Sequence, residues 1–277
     1  MRVADGVVSR LLRVEQSPVL VRAWEPARGR VQLRAEPVDL GVLTAPRSIP
    51  AAPSRPAGPV QLRVAIERMR FALGVDDDLG EVYRRFRRDP LLGPLLRRRP
   101  WLRPRRRPWA WEALAWAVVK QLIETERAAV IQRRIVGRWG SRLGRDRGAL
   151  RDMPGPETIA GRAPAELASM DLSPGRSIAL RAVAREIAAG RVSPGDPAAD
   201  ARLLAIPEIG PWTVQCLGLF GRGDPDSLPA GDLIYLKLVG RLAGLGRRAT
   251  VEEVEEFYAP YEPFRGLVGL WTIGLYR

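Results

Sequence analysis

The chain lacks several residues on which common enzyme mechanisms depend. It has 277 residues and no histidine, which excludes Ser/His and Cys/His nucleophilic catalysis and zinc sites with histidine ligands. Its single cysteine, Cys216, cannot form an internal disulfide or a cysteine-ligated iron–sulfur cluster. Only two lysines are present, Lys120 and Lys237. Any chemistry must rest on carboxylates, arginine, lysine or backbone groups, and we expect no metal and no cofactor.

Long apolar segments are also missing. No apolar run approaches the ~20 residues that span a bilayer. The N-terminus lacks the apolar core of a signal peptide. We therefore expect a soluble, cytoplasmic protein with no membrane partner.

Basic residues are abundant, and nearly all of them are arginine. The chain has 45 basic against 31 acidic residues, a formal charge of +14. Because the planar fork of arginine suits phosphate groups, a polyanionic partner is one interpretation, and an arginine-rich proteome is the other. The densest run covers residues 97–107, where prolines prevent a continuous helix and Trp101 and Trp109 lie nearby. This loop either contacts phosphates and bases or is a solvated surface loop, and its sequence assigns it no role.

The order of the patterns predicts a mainly α protein with a small β domain (α+β). Short β-branched runs separated by turn residues predict an antiparallel sheet within residues 1–50. Pro46, Pro50, Pro53, Pro56 and Pro59 then predict an extended connector. Residues 60–277 are predicted to be all-helical.

Three helices of that core have clear sequence signals. The strongest covers residues 109–139, with Leu122 on its apolar side. A second covers residues 177–189, with Ile178 and Val183 directed inward. A third opens with a capping box at Thr250.

Residues 203–214, Leu-Leu-Ala-Ile-Pro-Glu-Ile-Gly-Pro-Trp-Thr-Val, predict a tight hairpin between two helices. Gly210 allows positive φ and close approach of another backbone. Pro211 suits the first helical position, where the free N–H groups and the positive end of the helix dipole can bind phosphate. Thr213 adds a hydroxyl nearby. An ordinary Gly-Pro turn is the alternative.

An acidic segment, Leu228-Pro-Ala-Gly-Asp232, follows the hairpin. Asp232 is well placed to cap the helix that begins near Leu233. Taken alone, capping is the preferred interpretation; the spacing from the hairpin adds a second one, a carboxylate used in chemistry.

Together these two segments resemble the helix–hairpin–helix DNA glycosylase superfamily, most of all its 3-methyladenine DNA glycosylase II branch. The Arg99-Pro-Trp-Leu-Arg103, Lys120-Gln-Leu-Ile123 and Pro263-Phe-Arg-Gly-Leu-Val268 segments resemble other family segments, so the similarity covers residues 60–277. It implies a helical core of two lobes with the active-site cleft between them, preceded by a β domain. It also implies a monomer that binds double-stranded DNA containing damaged bases, in the cytoplasm at the nucleoid.

The resemblance implies roles for individual residues. Asp232 falls on the catalytic aspartate, and Trp212 stands where bifunctional members place a Schiff-base lysine, so base removal without strand cleavage is expected. Leu122 matches the residue that fills the gap left by the flipped base, although a helix core position is equally compatible with the pattern. The base pocket is assigned to Trp212, Tyr235 and Trp271, and the contact with the DNA backbone to Ile209, Gly210, Trp212 and Thr213.

Several positions depart from the family pattern. Glu208 replaces the first glycine of the hairpin and puts an anionic side chain beside the phosphate site. Cys216, Leu233 and Ile273 replace aromatic pocket residues. The implied substrate is an alkylated purine of the 3-methyladenine type. Other lesion classes, a catalytically impaired damaged-DNA binder and, more remotely, an RNA binder are the alternatives.

Overall fold

The computed structural model describes residues 1–39, 43–44, 55–100, 102–144 and 149–275. Most of the predicted proline connector, including Pro46, Pro50 and Pro53, lies outside the described residues, as does Trp101. The chain divides into two compact units, one of residues 1–70 and 118–193 and one of residues 71–117 and 194–277. The predicted boundary between residues 50 and 60 stays a prediction.

Helices dominate, as predicted. In chain order they are α1 (Pro59–Leu73), α2 (Gly80–Phe86), α3 (Gly93–Arg98), α4 (Ala110–Lys120), α5 (Thr125–Trp139), α6 (Pro156–Ala160), α7 (Pro164–Ala168), α8 (Pro174–Ala188), α9 (Asp200–Leu204), α10 (Pro211–Leu217), α11 (Leu233–Leu242), α12 (Val251–Tyr258) and α13 (Arg265–Leu275). Short 3₁₀ turns at Pro197–Ala199 and Ala259–Tyr261 and a π turn at Gly218–Arg222 extend them. No helix within the described ranges is long and apolar enough to cross a membrane.

The predicted N-terminal sheet is present. Its antiparallel strands lie in the order β1 (Arg2–Ala4), β2 (Val7–Val14), β3 (Ser17–Ala27) and β4 (Arg30–Pro37). On β3 the side chains of Val19, Val21 and Ala23 are at most 2% exposed, because residues two apart share one face of a strand. The α+β prediction is confirmed.

A second, smaller sheet was not predicted. It pairs β5 (Leu43–Thr44) with β6 (Arg142–Leu143) and β6 with β7 (Leu150–Arg151). The buried Asp152 next to β7 accepts a hydrogen bond of 2.9 Å from Nε of Arg13 on β2. Because a buried carboxylate needs a charged partner, this ion pair ties the two sheets of the first unit together. The expectation that residues 60–277 are all-helical is wrong for these two strands.

The predicted helix over residues 109–139 is two helices. α4 ends at Lys120 and α5 begins at Thr125, and the four residues between them form a turn. On α5 the side chains of Ala128, Ile131, Ile135 and Trp139 are buried, which is the spacing of one helical face. Leu122 lies outside both helices.

The second unit is built on one hydrophobic cluster. Helices α2 and α3 contribute Val82, Phe86 and Leu95, which pack with α11, α12 and α13. The predicted capping box is present at the start of α12, where Thr250 Oγ1 accepts from the N–H of Glu253 and the Glu253 carboxylate accepts from the N–H of Thr250. The helix that begins after Asp232, α11, is fixed by its packing in this hydrophobic cluster.

Candidate active site

The predicted hairpin lies between α9 and α10. Gly210 is the N-cap of α10, and Pro211 is its first helical residue. The fixed φ of proline suits that position, and its missing N–H leaves no donor unsatisfied. The Gly210 carbonyl accepts hydrogen bonds from the N–H groups of Thr213, at 3.0 Å, and Val214, at 3.3 Å. These bonds start the second helix at the turn that the sequence indicated.

The residue with positive φ in the hairpin is Glu208, not Gly210. Glu208 has φ of 69°, whereas Gly210 has φ of −105° and ψ of 178°, an extended conformation open to any residue. The expectation that Gly210 supplies the left-handed conformation is therefore wrong. A left-handed conformation costs a residue with a side chain about 1–2 kcal/mol. The exposed Glu208 thus stands at the position where glycine would relieve backbone strain.

The space beside the Cα atom of Gly210 is open. A Cβ added to Gly210 would meet no atom within 4 Å. Its N–H donates to no acceptor in the part of the chain that the structure describes. The neighbouring side chains of Ile209 and Thr213 are only 4% and 1% exposed. The hairpin therefore offers a partner its backbone at Gly210 rather than these two side chains.

Asp232 is the N-cap of α11. Its Oδ1 accepts a hydrogen bond of 3.2 Å from the N–H of Ile234, and its backbone carbonyl accepts from Tyr235 and Leu236. The residue is half-buried. An aspartate at this position satisfies one helix N–H and lies at the positive end of the helix dipole. The predicted cap is present.

The loop before Asp232 is held by an ion pair that the sequence did not indicate. Arg265 Nε donates to Asp226 Oδ1 at 2.9 Å, and the backbone N–H of Arg265 donates to the same oxygen at 3.0 Å. Burial alone would raise the pKa of Asp226, but the hydrogen bonds and charge of Arg265 outweigh it and lower that pKa. The N–H of Leu267 also donates to the Pro225 carbonyl at 2.8 Å. The sequence offered one signal for this ion pair, the C-terminal motif that contains Arg265. The motif alone did not reveal that Arg265 pairs with Asp226.

The start of α10 and the start of α11 lie side by side. A Cβ built on Gly231 would lie 4.0 Å from Cδ1 of Trp212, which is van der Waals distance. Trp212 is half-buried. The fold thus brings the residue after the hairpin next to the segment that carries Asp232.

Tyr235 lies beneath this site in the hydrophobic cluster. It is 2% exposed, and its ring packs edge-on against Tyr258 with centroids 5.9 Å apart. Its pKa is raised well above the usual value by burial and, to a smaller degree, by Tyr258, Asp232 and Cys216, so its phenol stays protonated. Trp271 is 2% exposed in the same cluster, and within the described residues its indole Nε1 has no hydrogen-bond partner.

The three residues that replace aromatic pocket residues of the family differ in exposure. Cys216 is buried at 5% exposure, Leu233 is exposed at 39%, and Ile273 packs at the edge of the cluster. The assignment of Trp212, Tyr235 and Trp271 to a base pocket stays a prediction.

Leu122 is fully exposed, at 104% of its reference area, and its φ is 57°. The alternative interpretation as a helix core residue is therefore wrong. A bulky apolar side chain in this conformation is unfavourable both in solvation and in backbone energy. In the turn between α4 and α5 the side chain is exposed to solvent.

Arg176 on α8 supports this turn from inside the first unit. Its Nη1 donates to the carbonyl of Val119 at 2.9 Å, and its Nε donates to Ser173 Oγ at 3.0 Å. Ser173 in turn caps α8 by accepting from the N–H of Arg176. The last turn of α4 is thus fixed to the start of α8, three residues before Leu122.

Curated relatives align with most of the chain, although no family model matches it. A probable bifunctional transcriptional activator/DNA repair enzyme AlkA of Mycobacterium tuberculosis is 29% identical over 225 residues, 76% of this chain and 43% of that protein. A DNA-3-methyladenine glycosylase of Bacillus subtilis is 25% identical over 228 residues, 79% of this chain and 75% of that protein. The chain spans less than half the length of the first relative.

Solved structures show the same architecture. A 3-methyladenine DNA glycosylase from Archaeoglobus fulgidus has a TM-score of 0.77 at 20% identity and covers 99% of this chain and 88% of its own. An 8-oxoguanine glycosylase/lyase from Clostridium acetobutylicum has a TM-score of 0.65 at 14% identity, with coverage of 95% and 88%. The chain therefore has the fold of the helix–hairpin–helix DNA glycosylases. The resemblance inferred from the hairpin and Asp232 is confirmed.

Proposed function

We propose that the chain is a DNA base-excision glycosylase that removes alkylated purines of the 3-methyladenine type and leaves an abasic site. The observation that carries the proposal is a half-buried carboxylate, Asp232, beside the helix that follows the hairpin. The names of the aligned relatives support the reaction class and the substrate class. Double-stranded DNA with damaged bases is the proposed partner, and the protein is proposed to act as a monomer.

Asp232 would act by charge. Cleavage of an N-glycosidic bond builds positive charge on the sugar, and alkylation already makes the base a good leaving group. A carboxylate about 4 Å from that charge, at an effective dielectric constant of about 20, contributes about 4 kcal/mol. This corresponds to roughly a thousandfold in rate. Because the departing base is cationic, no acid needs to protonate it, and a chain without histidine can perform this step.

The other assigned residues would hold the DNA. The backbone at Gly210 would contact a phosphate, since its N–H and the space beside it face outward. Leu122 would fill the gap left by the flipped base. Trp212 would line the pocket and attract an electron-poor alkylated base through its ring face.

Strand cleavage is not part of the proposed activity. An imine mechanism needs an amine beside the sugar, and Trp212 occupies the position next to the hairpin threonine. Lys237 is exposed on α11, and Lys120 belongs to α4. We expect abasic product to remain uncut until alkali is added, whereas cleavage without alkali that is trapped by borohydride would contradict this part.

Asp232→Asn tests the proposal. Asparagine caps helices about as well as aspartate, so the fold should persist while the charge is lost. Release of methylated bases from alkylated duplex DNA should fall by roughly a thousandfold. The matched control is Asp196→Asn, which makes the same change at another helix cap. Equal release by Asp232→Asn and wild type would overturn the assignment.

A damaged-DNA binder without catalysis is the second candidate. Its supporting observation is Glu208, an exposed carboxylate within the hairpin that would oppose a phosphate. Tight binding of a duplex with an abasic analogue, with no base released from any lesion in a panel, would favour this candidate over the enzyme.

A further inference from the structure

The largest concentration of charge lies in a segment with no assigned role. Between Arg84 and Arg107 there are eleven arginines and one acidic residue, Asp89. Eleven positive charges less one negative charge leave +10 on this segment, against +14 for the whole chain. None of the hairpin residues and no part of the Asp232 loop belongs to it.

Two arginine runs of this segment form a single surface. Arg97 Nη1 donates to the carbonyl of Arg87 at 3.0 Å, and Tyr83 Oη donates to the carbonyl of Arg99 at 3.4 Å. The residues after α2 and the end of α3 therefore lie beside each other. We define the arginine face as the exposed residues Arg84, Arg85, Arg87, Arg88, Arg97, Arg98 and Arg99.

The buried residues of the two helices explain why these side chains point outward. Val82 and Phe86 on α2 and Leu95 and Leu96 on α3 belong to the hydrophobic cluster of the second unit. Because these residues hold one side of each helix against the core, the intervening arginines lie on the exposed side. Of these, Arg85 also donates to the backbone carbonyls of Glu262 and Pro260.

The arginine face is not neutralised by the protein. Within the described residues, none of its seven arginines forms an ion pair with a carboxylate, whereas Arg106 pairs with Asp77 at 2.8 Å. Arg107, also outside the face, pairs with Glu112 at 3.5 Å. The arginines of the face thus repel one another and attract counterions, which a polyanion would displace.

We propose that the arginine face binds the phosphate backbone of duplex DNA, outside the nucleotides that the hairpin holds. This deepens the proposed function by adding a second, sequence-independent contact surface to the same enzyme. Guanidinium groups donate in pairs to phosphate oxygens, and closely spaced phosphates match closely spaced arginines.

The amount of exposed apolar side chain distinguishes a surface that binds DNA from one that binds another acidic partner. A membrane-binding surface combines basic residues with exposed apolar ones, and a protein interface has an apolar or aromatic centre. Among the described residues, no exposed large hydrophobic side chain lies between Val60 and Leu122. A purely cationic surface of this kind fits a polyphosphate backbone and lacks the apolar contacts that the other two partners use.

The test compares two triple variants with the same change in charge. Arg87→Gln, Arg88→Gln and Arg98→Gln removes three exposed guanidinium groups whose side chains make no hydrogen bond within the described residues. Arg2→Gln, Arg28→Gln and Arg30→Gln removes three exposed arginines from the N-terminal sheet region. Fluorescence anisotropy then measures affinity for an undamaged duplex at several salt concentrations.

We expect the slope of log affinity against log salt to become shallower by about 2–3 in the first variant, since each phosphate contact contributes about 0.9. The control variant should change the slope by less than one contact. Equal changes in both variants would show an effect of net charge alone and overturn the proposal, and so would an unchanged slope.

Two further measurements keep this inference separate from the proposed function. Asp232→Asn should bind the duplex as wild type does, and the first triple variant should need a higher enzyme concentration for half-maximal base release. Loss of slope without any base release by wild type would leave the inference standing and overturn the enzyme. Unchanged duplex binding together with lost binding to vesicles of anionic lipid would overturn the inference in favour of a membrane surface.

Discussion

Among the turns that place a residue with a side chain in the left-handed region, those at Leu122 and Glu208 differ in which group they expose. Leu122 in the turn after α4 has φ of 57°, and Glu208 in the hairpin has φ of 69°. At Leu122 the side chain itself is presented, because it is fully exposed. In the hairpin the open space lies beside the backbone of Gly210, two residues after the strained position. A strained turn can therefore expose either a side chain or the neighbouring backbone.

The supports of the two turns also differ. The Leu122 turn is braced by a guanidinium group, since Arg176 bonds the Val119 carbonyl at 2.9 Å. The hairpin is braced by the buried Ile209, whose N–H donates to the Ile206 carbonyl at 3.1 Å. A left-handed residue costs about 1–3 kcal/mol and persists only when its surroundings hold it. These contacts provide that hold.

Among substitutions in the two turns and their supports, the largest effect is expected at Leu122. Leu122→Ala should lower base release from duplex DNA about 10- to 100-fold, because flipping costs a few kcal/mol that the side chain helps to offset. Single-turnover release from the duplex measures this effect. The same lesion in single-stranded DNA is the control, since no gap needs to be filled there. An equal loss on both substrates would show that Leu122 does not act as a wedge.

A smaller effect is expected at Gly210. Gly210→Ala should weaken duplex binding about tenfold, since the methyl group occupies the space into which a phosphate would approach and removes one charge-assisted hydrogen bond. Folding should change by no more than about 1 kcal/mol, the usual cost of alanine at an N-cap. Anisotropy and thermal unfolding measure the two quantities.

Gly195→Ala is the matched control for Gly210. Its added methyl group also meets no atom within 4 Å, and it lies outside the hairpin. Equal affinities of the two variants for the duplex would contradict a backbone contact at Gly210.

Arg176 should act through Leu122. Arg176→Met removes the bond to Val119 and should lower duplex base release about fivefold, since a typical hydrogen bond contributes about 1 kcal/mol net. In the background of Leu122→Ala the same substitution should change little. A double-mutant cycle measures this coupling, and additive losses would show a general structural role instead.

Glu208 should show the smallest effect, in the favourable direction. Glu208→Gly should raise the free energy of unfolding by about 1 kcal/mol, because glycine adopts positive φ without strain. It should also tighten duplex binding a few-fold by removing a negative charge. Glu208→Gln separates the two causes, since it removes the charge and keeps the strain. Unchanged affinity in both variants would show that the carboxylate points away from the DNA.

Features that depend on residues close together in the chain were predicted correctly. Short β-branched runs separated by turn residues predicted the N-terminal sheet, and the capping box at Thr250 predicted the start of α12. Each of these signals depends on neighbours within a few residues, so it survives without knowledge of the rest of the chain.

Features that depend on residues far apart in the chain were not predicted correctly. Residues 121–124 contain neither glycine nor proline, so their sequence shows no helix break. Ile178 was predicted to face inward but is 54% exposed, while Ser177 is fully buried. The buried face of a helix is chosen by the elements that pack on it, and periodicity alone indicates only that such a face exists.

The sequence by itself determined the chemistry available to this protein. Without histidine, any chemistry must rest on carboxylates, arginine, the two lysines or backbone groups. The hairpin and Asp232 could be found from residue types and spacing. Only the tertiary structure decided that Glu208 takes the strained position, that Leu122 is exposed, and that two arginine runs form one face. The reason is that residue type fixes what a group can do, whereas backbone angles and exposure follow from packing between segments far apart in the chain.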